Sequence, residues 1–428
     1  MGLDRFSALR NLVVPGYNSL VMGDKALAGL KVLEWADFIA GPYCGKLFAD
    51  MGAEVIKIEK PGVGDEARQR GPFPDHIPHP EKSGLFLYLN SNKLGITLDV
   101  ETATGQRILK ELLKTADILI EDHAPAVMER LGLDYPNVQK VNPALVMVSI
   151  TAFGQTGPYK DYKGYAINSS ALGGQSVCAG EPGREPLTPP LCLGHYQSGA
   201  AGATAAMAAL FARELSGKGQ QVDISEAQVW ATLHTGNQET SFIMHSMKRM
   251  RWGHRTPGVY PYTILPCKDG FMSMIAIQGY QWKRFLELMG NGKVPEWYAN
   301  EPRFQDRREL SLKYADEMDG LLAPWLMSHS KQEIYELCLE KRVPFAPVKN
   351  VEEVINDAHL KTREYFVEVD HPAAGTFKYP GAPGKFSETP WAIERPAPLL
   401  GEHNEEIYCE RLGYRKQELA ELRTGGVI

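Results

Sequence analysis

Apolar and polar positions along the chain fall into blocks that predict strands and helices in turn. Leu30-Lys31-Val32-Leu33-Glu34-Trp35 has strand character, and after Ala40-Gly41-Pro42 the stretch Tyr43 to Met51 reads as a helix. Gly52-Ala53-Glu54 turns into Val55-Ile56-Lys57-Ile58-Glu59, a second strand. Strand, turn, helix and strand in that order make a βαβ unit, which joins parallel strands. Gly95 to Asp99, Ala116 to Glu121 and Leu145 to Ile150 predict further strands. Between them, Thr102 to Thr115 sets Ile108, Leu109, Leu112 and Leu113 on one side of a helix, and Val127 to Leu131 reads as a short one. This alternation predicts an α/β domain with helices on both faces of a parallel sheet and right-handed crossovers.

The remaining blocks are less regular. Residues 60–85 are rich in Gly, Pro and charge, which predicts a long surface loop of the kind that often carries function. Ser198 to Leu215 predicts a helix dense in Ala and Gly, suited to tight core packing or a close helix–helix interface. Val222 to Leu233 resumes as strand and helix. Residues 234–262 are polar, basic and aromatic, with Arg249, Arg251, Trp252, His254 and Arg255, and read as a linker. Residues 263–345 mix strands (Phe271 to Ile275) with amphipathic helices (Gln281 to Met289, Leu310 to Ser328, Lys331 to Lys341). Turns and strands follow from Pro347, then a proline-rich crossing and a charged helix, Asn404 to Leu412. Residues 1–26 precede the folded body as an extension, and Val13-Val14-Pro15-Gly16-Tyr17 within it is assigned no role.

Length and composition narrow the class. A chain of 428 residues implies two or three domains. Hydrophobic residues at 43% and charged residues at 23% describe an ordinary globular protein. A net charge of −6 argues against a nucleic-acid surface. No apolar run is long enough to span a bilayer, and the stretch Ala200 to Phe211 is too short and too rich in Ala and Gly. Asp4 and Arg5 open the chain without a signal-peptide pattern. The cysteines (Cys44, Cys178, Cys192, Cys267, Cys338, Cys409) are scattered without a C-x-x-C pair. No disulfide and no metal site is therefore expected, and the expected compartment is the cytoplasm. The absence of G-x-G-x-x-G removes the dinucleotide fingerprint.

The stretch from Thr151 to Leu215 holds the candidate chemistry. It reads T-A-F-G-Q-T-G-P-Y, then G-Y-A-I-N-S-S-A-L-G-G, then P-P-L-C-L-G-H-Y-Q-S-G before the small-residue helix. Tyr165 and His195 both stand where turns meet helices. Unpaired N–H groups at such termini suit an anionic or acyl ligand.

From about Leu30 to the C-terminus the chain resembles the class III CoA-transferases, the family that includes formyl-CoA, carnitine and bile-acid CoA-transferases and the α-methylacyl-CoA racemases. The resemblance rests on L-K-V-L-E-W-A-D-F-I-A-G-P, M-G-A-E-V-I-K-I-E-K-P-G-V-G-D, L-N-S-N-K-L-G-I-T-L-D-V, M-E-R-L-G-L-D-Y and S-I-T-A-F-G-Q-T-G-P-Y. It continues in G-K-G-Q-Q-V-D-I-S, V-P-F-A-P-V and P-L-L-G-E-H. It implies a large Rossmann-like domain made of 27–233 and 346–428, a linker over 234–262 and a smaller inserted α/β domain over 263–345. It also implies that two chains interlock.

The resemblance bears directly on the site. In the family transferases an Asp after Gly attacks the acyl-CoA thioester, giving a mixed anhydride and then an aspartyl-CoA thioester. The matching pair here is Gly194-His195, so the nucleophile is replaced by an imidazole that cannot form that thioester. The helix N-terminus favours a neutral His195. The racemases use a His and an Asp as opposed acid and base. Those positions are Tyr165 and His195 here, and Tyr is a poor base near neutral pH. Asp161, Glu181 and Glu185 are the nearby carboxylates that could substitute.

The CoA-holding positions of the family match Phe38, Ile39, Lys60, Leu98, Asp122, His123 and Arg130. Lys60 and Arg130 could pair with phosphates. The usual Asn-Phe-Arg-Pro-Gly is Asp122-His123-Ala124-Pro125-Ala126 here, which adds an anion and removes a cation where the nucleotide would lie.

Three functions follow in order. The first is a non-catalytic subunit of a heteromeric transferase that moves CoA from a donor such as succinyl-CoA to an aromatic or dicarboxylic acid, as in the succinyl-CoA:benzylsuccinate type. A paralogous Asp-bearing subunit would be its partner in a heterodimer or heterotetramer, with a CoA thioester as substrate and no covalently bound cofactor. The second is an acyl-CoA racemase, lyase or hydrolase using His195. The third is a CoA-binding regulatory protein.

Overall fold

A computed structural model describes residues 25–232, 236–248 and 251–428. The extension over 1–24, with Val13 to Tyr17, lies outside the described residues, as do Leu233 and Arg249. The chain divides into two compact units. The first is built from the chain up to Gly173, Pro190–His234 and Glu364–Ile428; the second from Gly174–Pro189 and Thr235–Arg363.

The first unit carries a six-stranded sheet. Its strands are β1 (Lys31–Trp35), β2 (Glu54–Glu59), β3 (Leu94–Thr97), β4 (Ile118–Glu121), β5 (Val146–Thr151) and β6 (Gln221–Ser225). They lie in the order β3-β2-β1-β4-β5-β6, and every pairing is parallel. Because helices cover both faces, the strands are buried on both sides and nearly continuous in apolar residues. Ile118, Leu119 and Ile120 are fully buried. Successive side chains enter opposite layers. Val32, Val55, Ile118 and Val148 join one core with Phe48 and Ala206, while Leu33, Ile58, Leu119 and Met147 join the other with Ile108 and Ile407. Each fully buried Leu or Ile contributes roughly 1.5–3 kcal/mol relative to an exposed one.

The helices of this part are α1 (Ala40–Ala49), α2 (Gly84–Leu89), α3 (Ala103–Leu113), α4 (Pro125–Leu131), α5 (Tyr135–Val141), α6 (Ala166–Leu172), α7 (Leu193–Ser216) and α8 (Glu226–Trp230). Thr102 caps α3 by accepting from Gly105 N–H at 2.9 Å, as Thr at such a position does. Helix α1 begins at Ala40, three residues before the expected start.

Helix α7 begins at Leu193, not at Ser198, so His195 lies in its first turn rather than in the preceding turn. Its small residues serve close packing. A Cβ at Gly199 would stand 2.5 Å from Ala40 O in α1, and one at Gly202 would stand 3.0 Å from Ile150 Cδ1.

Most of the 60–85 segment is surface, as expected, but Asp65, Arg68 and Ser83 within it are completely buried. Composition signals a surface loop because charge prefers water, and the two buried charges are exceptions because each meets an opposite charge. Arg68 Nε donates to Glu59 Oε2 at 2.7 Å, and its Nη1 to Glu81 Oε2 at 2.6 Å.

The second unit has a small antiparallel sheet of β7 (Tyr262–Cys267), β8 (Gly270–Ile275) and β9 (Ala346–Pro347). Thr263, Leu265 and Cys267 alternate inward along β7. Met274, Phe285, Leu322 and Ile334 build its core, with Phe285 and Leu322 coming from helices Gly279–Met289 and Ala315–Ser328. Tyr260, within the stretch read as linker, is buried in that core.

The chain then returns to the first unit through the antiparallel hairpin β10 (Phe366–His371) and β11 (Gly375–Pro380). The segment expected as a helix over Asn404 to Leu412 forms a π-helical stretch, Glu406–Arg411. Asn404 Oδ1 accepts from Thr97 N–H at 2.9 Å, and Tyr408 Oη donates to Thr97 O at 2.6 Å. These bonds fasten the C-terminal segment to the edge strand β3. No described helix is long and apolar enough to cross a membrane.

Candidate active site

His195 is positioned from two sides. Cys192 adopts a left-handed conformation (φ 53°) immediately before α7, and its carbonyl accepts from His195 N–H at 2.9 Å. Gly194 must lack a Cβ, because one would stand 2.6 Å from Glu226 Oε1 and 2.4 Å from Trp230 Nε1. This lets the first turn of α7 sit directly against α8.

Glu226 opens α8, just after β6 ends at Ser225. Ser225 Oγ caps the helix by accepting from Gln228 N–H at 3.4 Å. The Glu226 carboxylate is 3% exposed. Its Oε1 accepts from Ser169 Oγ–H, and its Oε2 meets Nδ1 of His195. A carboxylate has only acceptor capacity, so Nδ1 supplies the hydrogen of this contact and Nε2 is the ring nitrogen outside it.

The result is a Ser169–Glu226–His195 chain in which a buried acid orients a partly exposed imidazole, 18% accessible at its side chain. A His held in this way can take or give a proton at Nε2. It has no carboxyl carbon on which an acyl group could be exchanged for CoA.

Phe38 closes another side. Its ring centroid is 5.6 Å from that of His195, edge-on at 79°. Phe38 has φ 66°, an unusual conformation for a bulky residue. Its N–H donates to Asp65 Oδ1 at 2.9 Å, which holds the turn. Asp65 Oδ2 in turn meets Lys57 Nζ at 2.7 Å, Lys57 meets Glu34 Oε1 at 3.0 Å, and Lys93 meets Glu34 Oε2 at 2.6 Å. All four side chains have no solvent exposure. Burial alone would lower the Lys57 pKa, but Asp65, Glu34 and Glu59 outweigh it and hold the ammonium charged. Lys93, dominated by burial, is lowered to about 8.

Tyr165 takes the N-cap position of α6, the helix that carries Ser169, and is 68% exposed. Its N–H donates to Asn168 Oδ1 at 3.0 Å. Its helix is thus joined to His195 through Ser169 and Glu226. Of the carboxylates weighed as substitutes, Asp161 accepts from Ala126 N–H at 3.1 Å. Glu181 and Glu185 belong to the second unit.

Several CoA-position residues cluster at the carboxyl ends of the parallel strands, where open α/β sheets take ligands. Phe38 and Ile39 follow β1, Lys60 follows β2, Leu98 follows β3, and Asp122 and His123 follow β4. Their surfaces differ. Lys60 is exposed, whereas Leu98 is 2% exposed and committed to the core. Arg130 lies in the last turn of α4 and pairs with Glu101 at 3.2 Å, both more than half exposed.

The strand order reverses between β1 and β4, and there Asp122 Oδ2 accepts from Asp37 N–H at 3.0 Å. Burial, and then the neighbouring Asp37, pushes the Asp122 carboxyl well above the ordinary carboxylate range. Burial likewise raises Glu121 to about 7 and lowers His123 to about 4. The His123 ring lies 3.9 Å from that of Trp35. Among the described residues no group of three or more His, Cys, Asp or Glu could hold a metal ion.

A cavity of about 780 Å³ opens beside His195 within the first unit. Phe38, Cys192 and Tyr196 form its wall on that side.

Glu226 and Ser169 were not singled out from sequence. The available signal was an acidic residue directly after the capping Ser225 at a strand-to-helix junction. Nothing local joins it to His195, 31 residues away.

Comparison with known proteins places this frame. A family model for CoA-transferase family III matches residues 27–404. Succinyl-CoA–D-citramalate CoA-transferase of Chloroflexus aurantiacus is 33% identical over 408 residues, covering 94% of this chain and 98% of that protein. The beta subunit of succinyl-CoA–L-malate CoA-transferase from the same organism is also 33% identical, with the same coverage. Among solved structures, a CaiB/BaiF family protein from Brucella suis matches with TM-score 0.81 and 29% identity, covering 91% of this chain and all of that one. The chain belongs to CoA-transferase family III.

Proposed function

We propose that this chain is the nucleophile-lacking subunit of a heteromeric class III CoA-transferase, which moves CoA from a donor such as succinyl-CoA to an aromatic or dicarboxylic acid. The observation that carries this reading is the first turn of α7. Where the family transferases present an Asp, this chain presents His195, and the nearest carboxylate, Glu226, is buried behind it and engaged by Ser169 and His195.

In the transfer, a carboxylate attacks the thioester carbonyl and expels CoA thiolate, leaving a mixed anhydride. The thiolate then attacks the enzyme's carbonyl carbon and releases the donor acid, and the acceptor acid repeats the exchange in reverse. An imidazole cannot hold CoA in this way, so a paralogous partner must supply the Asp. Arg130, paired with Glu101, supports weak CoA binding by this chain itself. That one similar protein is named as a beta subunit supports a two-chain arrangement. By analogy with the family, the two chains interlock.

The test is reconstitution. The purified chain alone shows no transfer of CoA from succinyl-CoA, and co-expression with an Asp-bearing paralogue yields a complex that transfers it. Robust transfer by the single chain overturns the proposal.

A second reading is favoured by the Glu226–Nδ1 contact, which readies Nε2 of His195 as a base. It would make the chain an acyl-CoA racemase, lyase or hydrolase. It requires turnover by the isolated chain that His195→Ala abolishes.

A further inference from the structure

We infer that a second cavity of the first unit, between α1 and α7, is a binding site for an uncharged, largely apolar compound with one hydrogen-bond acceptor, such as a ketone or an ester. It lies apart from the transfer reaction proposed above and stands whether or not that proposal does.

The cavity holds about 500 Å³, the size of a small-molecule site. All the residues that line it belong to the first unit. Leu47 of α1, Met207 of α7, Leu27, Met51 and Phe386 make its walls apolar. Met207 is 41% exposed and Phe386 53%, so folding of the described chain leaves apolar surface here within reach of a ligand. Taking that surface out of water favours an apolar occupant.

The polar groups of the lining set the charge of that occupant. Lys46 and Asp50 are the only Lys, Arg, Asp or Glu among the lining residues, and they cancel. Lys46 Nζ meets Asp50 Oδ2 at 2.8 Å and donates to Ser91 Oγ at 2.8 Å. Asp50 Oδ1 accepts from Asn92 Nδ2–H at 2.8 Å. An ion entering the cavity would lose its water and find no unpaired opposite charge, which disfavours it.

Two polar groups are left unspent. Tyr43 and Tyr88 line the cavity, and neither hydroxyl makes a hydrogen bond among the described residues. Burial raises both phenols above their ordinary range, so each stays an O–H donor at neutral pH. Donors without acceptors, in an apolar and electrically balanced space, select a neutral acceptor such as a carbonyl oxygen. Tyr88 also lines the cavity beside His195, so a compound bound here touches a wall that the two cavities share.

The test is calorimetric titration of the full chain with acetophenone, ethylbenzene and benzoate, three probes of similar shape that differ in acceptor and charge. Acetophenone should bind about threefold to tenfold more tightly than ethylbenzene, the range of one net hydrogen bond. It should bind at least about tenfold more tightly than benzoate. Tyr43→Phe combined with Tyr88→Phe should bring acetophenone to the level of ethylbenzene and leave ethylbenzene itself unaffected, which shows that the cavity persists. Thr204→Trp, at an exposed position of α7, should fill the cavity and abolish binding of both neutral probes. Thr204 does not line the cavity beside His195, so this loss separates the two sites. Equal binding of acetophenone and ethylbenzene, benzoate binding as tightly as acetophenone, or neutral probes undisturbed by Thr204→Trp would each overturn the inference. So would the absence of acetophenone binding, including the outcome in which a second chain covers this face and Thr204→Trp changes the sedimentation of the protein.

Discussion

Two polar clusters in the first unit use the same kinds of residue to different ends. The Glu34–Lys57–Asp65 chain, extended through Lys93, has no exposed side chain, and each charge in it faces an opposite one. The Ser169–Glu226–His195 chain also has a buried carboxylate, but it ends in an imidazole that reaches solvent. The first holds a turn: Asp65 fixes Phe38 at positive φ. The second orients one partly exposed imidazole. The two clusters therefore differ not in the burial of charge but in whether the buried charge ends on a group that reaches solvent.

The largest expected effect comes from breaking the sealed cluster. Lys57→Met leaves Glu34 and Asp65 buried with one cation fewer. It should cost about 3–5 kcal/mol in denaturant unfolding, because an orphaned buried charge is penalised more than an intact pair stabilises. A loss under about 1 kcal/mol would mean that the cluster is hydrated and not the staple described.

A second experiment sharpens the contrast through pH. Glu121 is fully buried and raised to about 7, above its usual value of 4.5. Between those values the folded state keeps a proton that the unfolded state releases. Its contribution is therefore full at low pH and is lost as pH rises through about 7. Glu121→Gln removes that dependence. Relative to wild type the variant should gain about 3 kcal/mol between pH 4.5 and 8. A pH-independent difference would contradict the burial argument. His123, lowered to about 4, acts in the opposite sense in both proteins and cancels in the comparison.

A third substitution separates the site from the fold. Gly194→Ala puts a methyl group 2.6 Å from Glu226 Oε1. It should destabilise by about 1–3 kcal/mol as α7 and α8 move apart, and shift the His195 imidazole resonances in NMR. Unchanged resonances would mean that His195 does not depend on the contact. The smallest effect belongs to Arg130→Ala. Its pair with Glu101 is exposed, and stability should stay within about 0.5 kcal/mol.

Much of the fold was legible in the sequence because the sheet is parallel and doubly covered. Its strands are mostly apolar runs, interrupted in β1 and β2 by Glu34, Lys57 and Glu59, between amphipathic helices, and the Ile108, Leu109, Leu112 and Leu113 stripe lies in the core. What could not be read were pairings between distant segments. Asp65 and Arg68 looked like loop charges because Lys57 and Glu59 become their partners only once β2 and the loop fold together. The start of α7 was placed late because Leu193-Gly194-His195-Tyr196-Gln197 has no helix periodicity, and its turn is set by the fit of Gly194 against α8. His195 was read against its helix terminus alone, and its Glu226 partner was not foreseen. The assignment of 174–189 to the second unit left no trace in composition.

The central claim is that CoA never becomes bonded to this chain. The direct measurement is mass spectrometry of the reconstituted complex after brief incubation with succinyl-CoA and acid quench. The account predicts a CoA adduct on the Asp-bearing partner and none on this chain. A CoA thioester recovered on a carboxylate of this chain, Glu226 included, would contradict it.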